Sequence, residues 1–233
     1  MEVCCGNIAS VRAAIEGGAD RVELCRDLEL DGLTPSREMI GEAVGLCHPA
    51  GLLVHVLIRS REGDFVYDDN EVKKMADEIG MAIAEGADGV VVGALTPGGD
   101  IDTAACRKWI DAVRQAVGDQ RRNVTFHRAF DVCDDPLEAI GQIARLGCNR
   151  ILTSGQQATA EQGIPLLRRL VEKAREISAK SGHELGILCG AGVNTHNAST
   201  ILKATGATEI HGSLRTGLVS DAEKIRLVKE AIS

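Results

Sequence analysis

Charged, thiol and imidazole side chains occupy the ends of strand-like runs in this chain, where a buried strand normally carries valine, isoleucine or leucine. The polar residues inside or at the end of such runs are Glu2, Glu23, Arg59, His127, Arg128, Ser154 and His211. Buried charges are costly unless they are paired, and perturbed ionisable groups cluster at functional sites. We therefore expect a functional site, and the alternative is an internal network of Glu–Arg and Glu–His pairs that merely plugs the top of a barrel.

Two cysteines also stand at the ends of strand-like runs. Residues two apart on a strand point the same way, so Glu2 shares a face with Cys4, and Glu23 shares a face with Cys25. If both faces point inward on neighbouring strands, the two thiols lie together, and two thiolates can hold a soft ion such as Cu(I). Two reduced core cysteines are the alternative interpretation. Cys189, at the end of a later run, is a further candidate thiol.

Proton transfer and anion binding are the other chemistries that these residues support. Glu23, His127 and His211 are the candidate catalytic residues, because carboxylates and imidazoles act as general acids and bases. Small residues in two late loops let the backbone approach an anion, although tight turns also require glycine. The candidate ligand-binding residues are Glu2, Arg59, Arg128, Ser154, Gly190, Gly192 and Ser213.

Eight strand-like runs alternate with eight helical patterns and would position these side chains. The runs are Glu2–Cys4, Arg21–Cys25, Leu52–Arg59, Gly89–Leu95, Asn123–Arg128, Arg150–Ser154, Gly186–Gly190 and Glu209–Ser213. Apolar residues at helical spacing, such as Val72, Met75 and Ile79, predict amphipathic helices between them. The first run is not followed by the glycine-rich dinucleotide-binding turn of an open sheet. The pattern predicts an α/β fold, a single (β/α)₈ TIM barrel over residues 1–233, with its site at the carboxyl ends of the strands.

A recurring joint supports this alternation. Four short phrases, each with glycine followed by a small and then a polar residue, stand between an amphipathic run and an aliphatic run, and they begin at Gly18, Gly86, Gly147 and Gly206. Glycine after a helix tolerates a left-handed backbone, so each phrase is typical of a turn from a helix into a strand.

Composition excludes several classes of partner. The chain has 233 residues, a formal net charge of -8 and only five aromatic residues, which disfavours nucleic acid binding and attraction to anionic membranes. We find no apolar run long enough to span a membrane and no secretory signal at Met1, and the eight cysteines lack zinc-finger spacing. These features predict a cytoplasmic protein whose cysteines are mostly reduced.

Taken together, the strand-end residues resemble those of the CutC copper homeostasis protein family. The resemblance covers nearly the whole chain, in segments 1–4, 17–25, 32–36, 58–59, 63–65, 93–96, 125–131, 152–155 and 211–213. Two departures lie near the expected mouth of the barrel. Ser60-Arg61-Glu62-Gly63 replaces the family's Pro-Arg-Gly-Gly, and Gly190-Ala191-Gly192 replaces its triple glycine.

The resemblance implies a cytoplasmic TIM barrel that forms a homo-oligomer, takes part in copper homeostasis and binds copper through Cys4 and Cys25. Two hypotheses follow. In the first, the protein binds Cu(I) through these strand-end cysteines. In the alternative, it is a TIM-barrel enzyme acting on a small phosphorylated or carboxylated metabolite, with Arg59 and the late glycine loops holding the anion and Glu23, His127 and His211 transferring protons.

Overall fold

Eight parallel strands close into a barrel in the computed structural model, which describes residues 1–117 and 122–233. The strands are β1 (Glu2–Cys5), β2 (Arg21–Leu24), β3 (Leu53–Leu57), β4 (Gly89–Val92), β5 (Asn123–Phe126), β6 (Arg150–Thr153), β7 (Gly186–Cys189) and β8 (Glu209–Gly212). Each strand pairs with the next along the chain, and β8 returns to β1 with His211 opposite Glu2. The predicted (β/α)₈ barrel is confirmed, and every strand lies within or within one residue of its predicted run.

Eight helices surround the barrel. They are α1 (Ile8–Glu16), α2 (Arg37–Cys47), α3 (Asp69–Ala84), α4 (Thr103–Val117), α5 (Pro136–Leu146), α6 (Ile164–Ser181), α7 (Ala198–Thr205) and α8 (Ala222–Ile232). A short hairpin, β9 (Arg215–Thr216) and β10 (Val219–Ser220), lies between β8 and α8 and was not predicted. Within the described residues, no helix has the length and apolarity needed to cross a membrane.

The helix-to-strand joints adopt the expected backbone. Gly18, Gly86, Gly147 and Gly206 all have positive φ, between 75° and 97°. A side chain is rarely accommodated in this left-handed region, so glycine ends each preceding helix and the chain can turn into the next strand.

Strand alternation separates an apolar outer layer from a polar interior. Val3, Val22, Val54 and Val56 belong to the large apolar core, in which the strands pack against the helices. The alternate residues face the interior of the barrel, and the buried charged or imidazole residues among them are Glu2, Arg21, Glu23, His55 and His211. A small apolar cluster of Cys4, Cys25, Leu57 and Val91 also lies inside. The sequence pattern therefore places most of the chain's buried charge inside the barrel.

The helix α3 illustrates how the outer layer is held. Its buried side chains include Val72, Met75, Ile79 and Ile83, which are the predicted apolar stripe. The Asp68 side chain caps the first turn in a reciprocal capping box, which fixes where the long loop after β3 ends.

Candidate functional site

A cavity of about 500 Å³ opens at the carboxyl ends of the barrel strands. Nine predicted site residues line it, and they are Cys4, Glu23, Cys25, Arg59, His127, Arg128, Gly192, His211 and Ser213. One cavity thus brings together side chains from the ends of four different strands, namely Glu23, Arg59, His127 and His211. Three predicted site residues, Glu2, Ser154 and Gly190, do not line the cavity. Glu2 contacts His211, Ser154 contacts Arg128, and Gly190 lies beside Leu152 and His211.

The two thiols meet at the floor of this cavity. Cys4 on β1 lies opposite Glu23 on β2, and Cys25 follows β2 by one residue. The Sγ atoms of Cys4 and Cys25 are 3.8 Å apart, in hydrogen-bonding contact. This contact, together with burial and the nearby Glu23 carboxylate, raises the pKa of the Cys4 thiol well above its usual value. Gly32 lies beside the pair, and a Cβ there would come within 2.8 Å of Leu57, which packs with both thiols.

A third and a fourth donor stand beside Cys4. One ligand atom each from Cys4, Glu23 and His211 lies within 4.8 Å of the others. His211 Nε2 is 3.6 Å from a Glu23 oxygen. Cys189, in contrast, packs in the outer layer against the helices and does not line the cavity, so it is not a third thiol of this group. The cluster combines a soft thiol with a carboxylate and an imidazole, a donor set typical of metal sites.

Glu2 orients His211 from below. Its carboxylate pairs with the Arg21 guanidinium and accepts a hydrogen bond from His211 Nδ1 at 2.8 Å. Burial opposes ionisation of Glu2, but Arg21 and His211 outweigh it and hold the pKa of Glu2 far below its usual value. Burial also disfavours the charged form of His211, yet Glu23, Cys4 and Glu2 raise the pKa of His211 well above its usual value. His211 is therefore a buried imidazolium between two carboxyl groups.

An ion-pair network closes the barrel beneath Glu2. Arg21 Nη2 donates to Glu209 at 2.6 Å, and Arg150 Nε contacts both Glu209 oxygens at 2.7 and 2.8 Å. Arg150 also donates to Asn123 at 3.0 Å. A charge network thus exists, but these pairs lie below the cavity, whereas the alternative interpretation places them as a plug at the top of the barrel.

Sequence reasoning did not name this lower layer, although a signal for it was present. Arg21 stands two residues before Glu23, and Glu209 stands two residues before His211. The same alternation that placed Glu23 and His211 inside the barrel also places Arg21 and Glu209 there.

Arg59 is held by backbone oxygens instead of by Glu23. Its Nη1 donates to the carbonyls of Leu30 and Gly32, and its Nη2 donates to the carbonyl of Gly63. Its guanidinium lies over the Phe65 ring at 5.3 Å. Within the described residues no carboxylate lies within 4.0 Å of it, so a buried positive charge faces the cavity without an anionic partner.

His127 is a neutral imidazole with one free nitrogen. Its Nδ1 accepts a hydrogen bond from the Ala129 backbone N–H at 3.1 Å, which leaves the proton on Nε2. Within the described residues, the buried Nε2 has no hydrogen-bond partner. Burial and then the Arg59 charge lower the pKa of His127 to about 3. At neutral pH this residue is a hydrogen-bond donor, and the low pKa opposes its expected role as a general acid or base.

Asp131 organises the loop after β5. Its carboxylate pairs with Arg128 Nε at 2.7 Å and accepts hydrogen bonds from Thr153 and from the Ser154 backbone N–H. Arg128 Nη2 also reaches the Ser154 hydroxyl at 3.2 Å, and that hydroxyl donates to the Gln157 carbonyl. Ser154 is thus occupied by loop contacts, whereas Arg128 lies at the cavity wall.

The loop after β7 carries an unusual backbone. Ala191 has φ of 79° and Gly192 has φ of 69°, so an alanine occupies the left-handed region in which glycine is favoured. Gly190 gives space to Leu152 and His211, because a Cβ there would lie 2.6 Å from Leu152. The cavity wall at this loop is therefore formed by backbone and small residues.

Comparisons with known proteins agree on one family. The sequence model described as the CutC family matches residues 1–216. A CutC family protein of Bacteroides thetaiotaomicron is 48% identical over 221 residues, 95% of this chain and 83% of that protein. Its counterpart in Pasteurella multocida is 44% identical over 211 residues, 91% of this chain and 80% of that protein.

One solved structure agrees with this family, and a second one shares only the fold. The structure of a candidate copper homeostasis protein, CutC from Streptococcus agalactiae, is similar with a TM-score of 0.82 and 34% identity, covering 91% of this chain and 97% of that one. The 3-hexulose-6-phosphate synthase of Salmonella typhimurium has a TM-score of 0.68 at 15% identity over 99% of this chain and 97% of that one. That second likeness concerns the barrel fold alone.

Proposed function

Because this chain belongs to the CutC family, we propose that it is a copper homeostasis protein that binds Cu(I) between Cys4 and Cys25. The description of the Streptococcus agalactiae relative supports the role in copper homeostasis. The choice of the site rests on the two thiols in the cavity floor.

The observation that carries the proposal is the Sγ–Sγ distance of 3.8 Å between Cys4 and Cys25. Two metal–thiolate bonds of about 2.3 Å each place their sulfur atoms at most roughly 4.6 Å apart. The observed Sγ–Sγ distance is shorter than this limit, so both sulfur atoms can bind one ion with little movement. Thiolates are soft ligands that favour Cu(I). The donor set on the floor therefore fits this ion.

The surrounding charges also suit a bound Cu(I). Two thiolates and one Cu(I) carry a net charge of -1, and the His211 imidazolium beside Cys4 offsets it. As an imidazolium, His211 is close enough to donate a hydrogen bond to the Cys4 sulfur, and the Glu23 carboxylate is close enough to act as an additional ligand. Copper binding requires both thiols to lose their protons, so the reaction releases protons to solvent.

A competition titration against a chromogenic Cu(I) chelator tests the proposal. We expect one Cu(I) per chain in the wild type, and a loss of affinity of at least about 100-fold in Cys4→Ser and in Cys25→Ser. Cys47→Ser is the matched control, because Cys47 is a buried cysteine outside the cavity. Equal affinity in the wild type and in both cavity variants rules out this site.

We further propose that the protein is cytoplasmic and forms a homo-oligomer, as the family resemblance implies. All eight cysteines are unpaired, which is typical of a reducing compartment. Light scattering coupled to size-exclusion chromatography tests the assembly, and a mass equal to that of one 24.7 kDa chain contradicts it.

A second candidate function is binding, and conversion, of a small organic anion in the same cavity. The buried Arg59 guanidinium supports it, because this charge has no carboxylate within salt-bridge distance in the described residues. Cys4 and Cys25 alone do not require such a charge at the cavity wall. Gly192, Ser213 and Arg128 line the same space and would complete the anion site.

Paired probes test this second candidate. The thermal midpoint of the copper-free protein is measured with malate and glycolate and with their uncharged amides, malamide and glycolamide. A bound ligand stabilises the native state by mass action, so we expect the acids to raise the midpoint and the amides to leave it unchanged. Equal effects of acids and amides count against an anion site.

A further inference from the structure

Two buried nitrogen atoms of cavity-lining residues, His127 Nε2 and Arg59 Nε, have no hydrogen-bond partner within the described residues. His127 is 4% exposed, and its Nδ1 is already used to cap the short turn formed by Arg128–Val132. The remaining Nε2–H group has no acceptor within the described residues. Leaving a buried donor unpaired costs as much as losing a hydrogen bond, so such atoms call for a ligand or an ordered water.

The fold makes room for the His127 ring at this place. Gly93 follows β4, and a Cβ at Gly93 would lie 2.6 Å from two atoms of the ring. Phe65 also packs against this ring, with its centroid 5.0 Å from that of His127. The ring is therefore in contact with both a strand end and an aromatic side chain.

Arg59 and His127 form one wall of the cavity. Phe65 contacts both, since the Arg59 guanidinium lies 5.3 Å from its centroid. The charged side chains that line the whole cavity are Glu23, Asp31, Arg59, Arg128, Asp131, His211 and Arg215. Arg128 is paired with Asp131, and His211 faces Glu23, which leaves Arg59 as the buried charge without a partner. This wall thus offers one positive charge and one neutral N–H donor.

We infer that His127, through its Nε2–H group, donates a hydrogen bond to a carboxylate oxygen of a small organic acid held beside Arg59. This inference rests on the second candidate function and does not depend on copper. One guanidinium and one N–H donor match the two oxygens of a single carboxylate group better than the three oxygens of a phosphate group. A cavity of about 500 Å³ is within the usual range for small-molecule sites. A neutral imidazole that donates a hydrogen bond binds the oxygen without transferring a proton to it.

Binding affinities of His127 variants test the role of the donor. Malate, glycolate and inorganic phosphate are titrated into copper-free protein, and we expect the two carboxylates to bind more tightly than phosphate. His127→Phe removes the N–H donor and should weaken malate binding by about 10-fold or more, the effect of one hydrogen bond to a charged group. His127→Gln keeps an N–H donor at the end of the side chain and should restore most of the affinity.

Nitrogen NMR of the wild-type histidines gives a readout that does not depend on any variant folding. We expect His127 to show a protonated Nε2 and a bare Nδ1 at neutral pH, and its Nε2–H signal to shift and saturate with malate. His48→Phe is the matched control, because His48 lies outside the cavity and pairs with Asp88. It should leave malate affinity unchanged.

The outcomes separate this inference from the function on which it rests. If no carboxylate or phosphate binds to the wild type, both the second candidate function and the inference fail. If malate binds but neither the His127 signal nor His127→Phe responds, only the inference fails. Tighter binding of phosphate than of malate also overturns the assignment to a carboxylate.

Discussion

At the scale of single residues, Glu2 links the cavity to the layer beneath it. One carboxylate oxygen serves Arg21 and the other serves His211, while His55 Nδ1 lies 3.8 Å away. Since Glu2 is 1% exposed, water cannot replace any of these partners. Its hydrogen bond therefore orients His211 beside Cys4 and Glu23, and its negative charge adds to the larger effects of Glu23 and Cys4 that raise the pKa of His211.

We expect Glu2→Gln to lower the free energy of unfolding by about 3 to 5 kcal/mol, because it leaves buried cations without their partner. Urea denaturation at neutral pH measures this loss. Glu42→Gln is the control, since Glu42 makes only an exposed pair with Arg12 at 3.6 Å and should cost less than about 1 kcal/mol. A loss for Glu2→Gln no larger than that for Glu42→Gln would show that the buried network contributes no net stability.

Residue types and their alternation along strands predict much of the site, but not the contacts of Arg59. The period of two correctly brings Cys4 and Cys25 together, because side-chain direction on a strand depends on spacing alone. The partners of Arg59 are carbonyl oxygens of loop residues, and every residue carries a carbonyl. Their positions depend on loop conformation, which no residue type in the sequence identifies.

At the scale of elements, the ends of the strands determine which side chains enter the cavity. Gly93 after β4 leaves space for His127, and Gly190 after β7 leaves space for Leu152 beside His211. The loops that follow the strands then supply the wall, including Ala191 and Gly192 after β7. The small residues at these positions are therefore as important to the site as the polar ones.

We expect Gly93→Ala to displace the His127 ring, because the new Cβ would lie 2.6 Å from ring atoms. Overpacking of this kind costs about 1 to 3 kcal/mol of stability. Malate affinity should fall with it, as in His127→Phe. Gly80→Ala is the matched control, because a Cβ at Gly80 in α3 has no atom within 4 Å and should stabilise the helix. An unchanged stability and an unchanged His127 NMR signal in Gly93→Ala would contradict this account.

Ala191→Gly should stabilise the protein, in contrast to most alanine-to-glycine changes. A left-handed alanine costs about 1 to 2 kcal/mol, while the extra freedom of glycine in the unfolded chain offsets part of the gain, so we expect a net increase of about 0.5 to 1 kcal/mol. Ala179→Gly, at an exposed position in α6, should instead cost about 1 kcal/mol. Thermal or urea unfolding compares the two, and a destabilised Ala191→Gly would indicate that the loop is not strained.

The sequence predicts the element order well because each joint carries its own local signal. Glycine at four helix ends and apolar stripes such as that of α3 are independent of the rest of the fold. The hairpin of β9 and β10 lacks such a signal, since its two strands have two residues each. The start of α8 illustrates the same limit. The spacing of Ser220 and Glu223 indicates a capping box, but Asp221 is the residue that caps the helix.

At the scale of the whole molecule, the barrel interior is unusually polar for a core. The lower layer consists of ion pairs among Arg21, Arg150 and Glu209, and His55 is fully buried beside it. Such a layer contributes specificity rather than large net stability, because the desolvation of each charge opposes the attraction between them. Its ionisation states also make the stability of the barrel depend on pH.

We expect the protein to become less stable in mild acid, because two of its histidines are buried. Burial lowers the pKa of His55 to about 4 and that of His127 to about 3, whereas both have a pKa of 6.5 when exposed. Below pH 6.5 the unfolded chain therefore binds protons that the native state does not, and stability falls as pH falls. His211 has the opposite shift, so its contribution is fully present below pH 6.5 and is lost only at higher pH. The carboxylates Glu2 and Glu209 have lowered pKa values, and their contribution is lost only below about pH 4.5.

Urea denaturation between about pH 6.5 and pH 5 measures the histidine contribution with Glu2 and Glu209 still ionised. Burial raises the pKa of Glu23, so protonation of Glu23 in the native state offsets part of the loss as pH falls. Each of the two histidines should reduce the free energy of unfolding by about 2 kcal/mol across the interval, since one pKa unit corresponds to about 1.4 kcal/mol. His55→Gln removes one of the two titrations and should reduce the pH slope by about half, even if it also lowers the stability at every pH. His196→Gln is the control, because His196 is an exposed histidine outside the barrel interior. A pH slope of His55→Gln equal to that of the wild type would mean that His55 accepts a proton in the folded barrel, and it would contradict this account of the buried histidines.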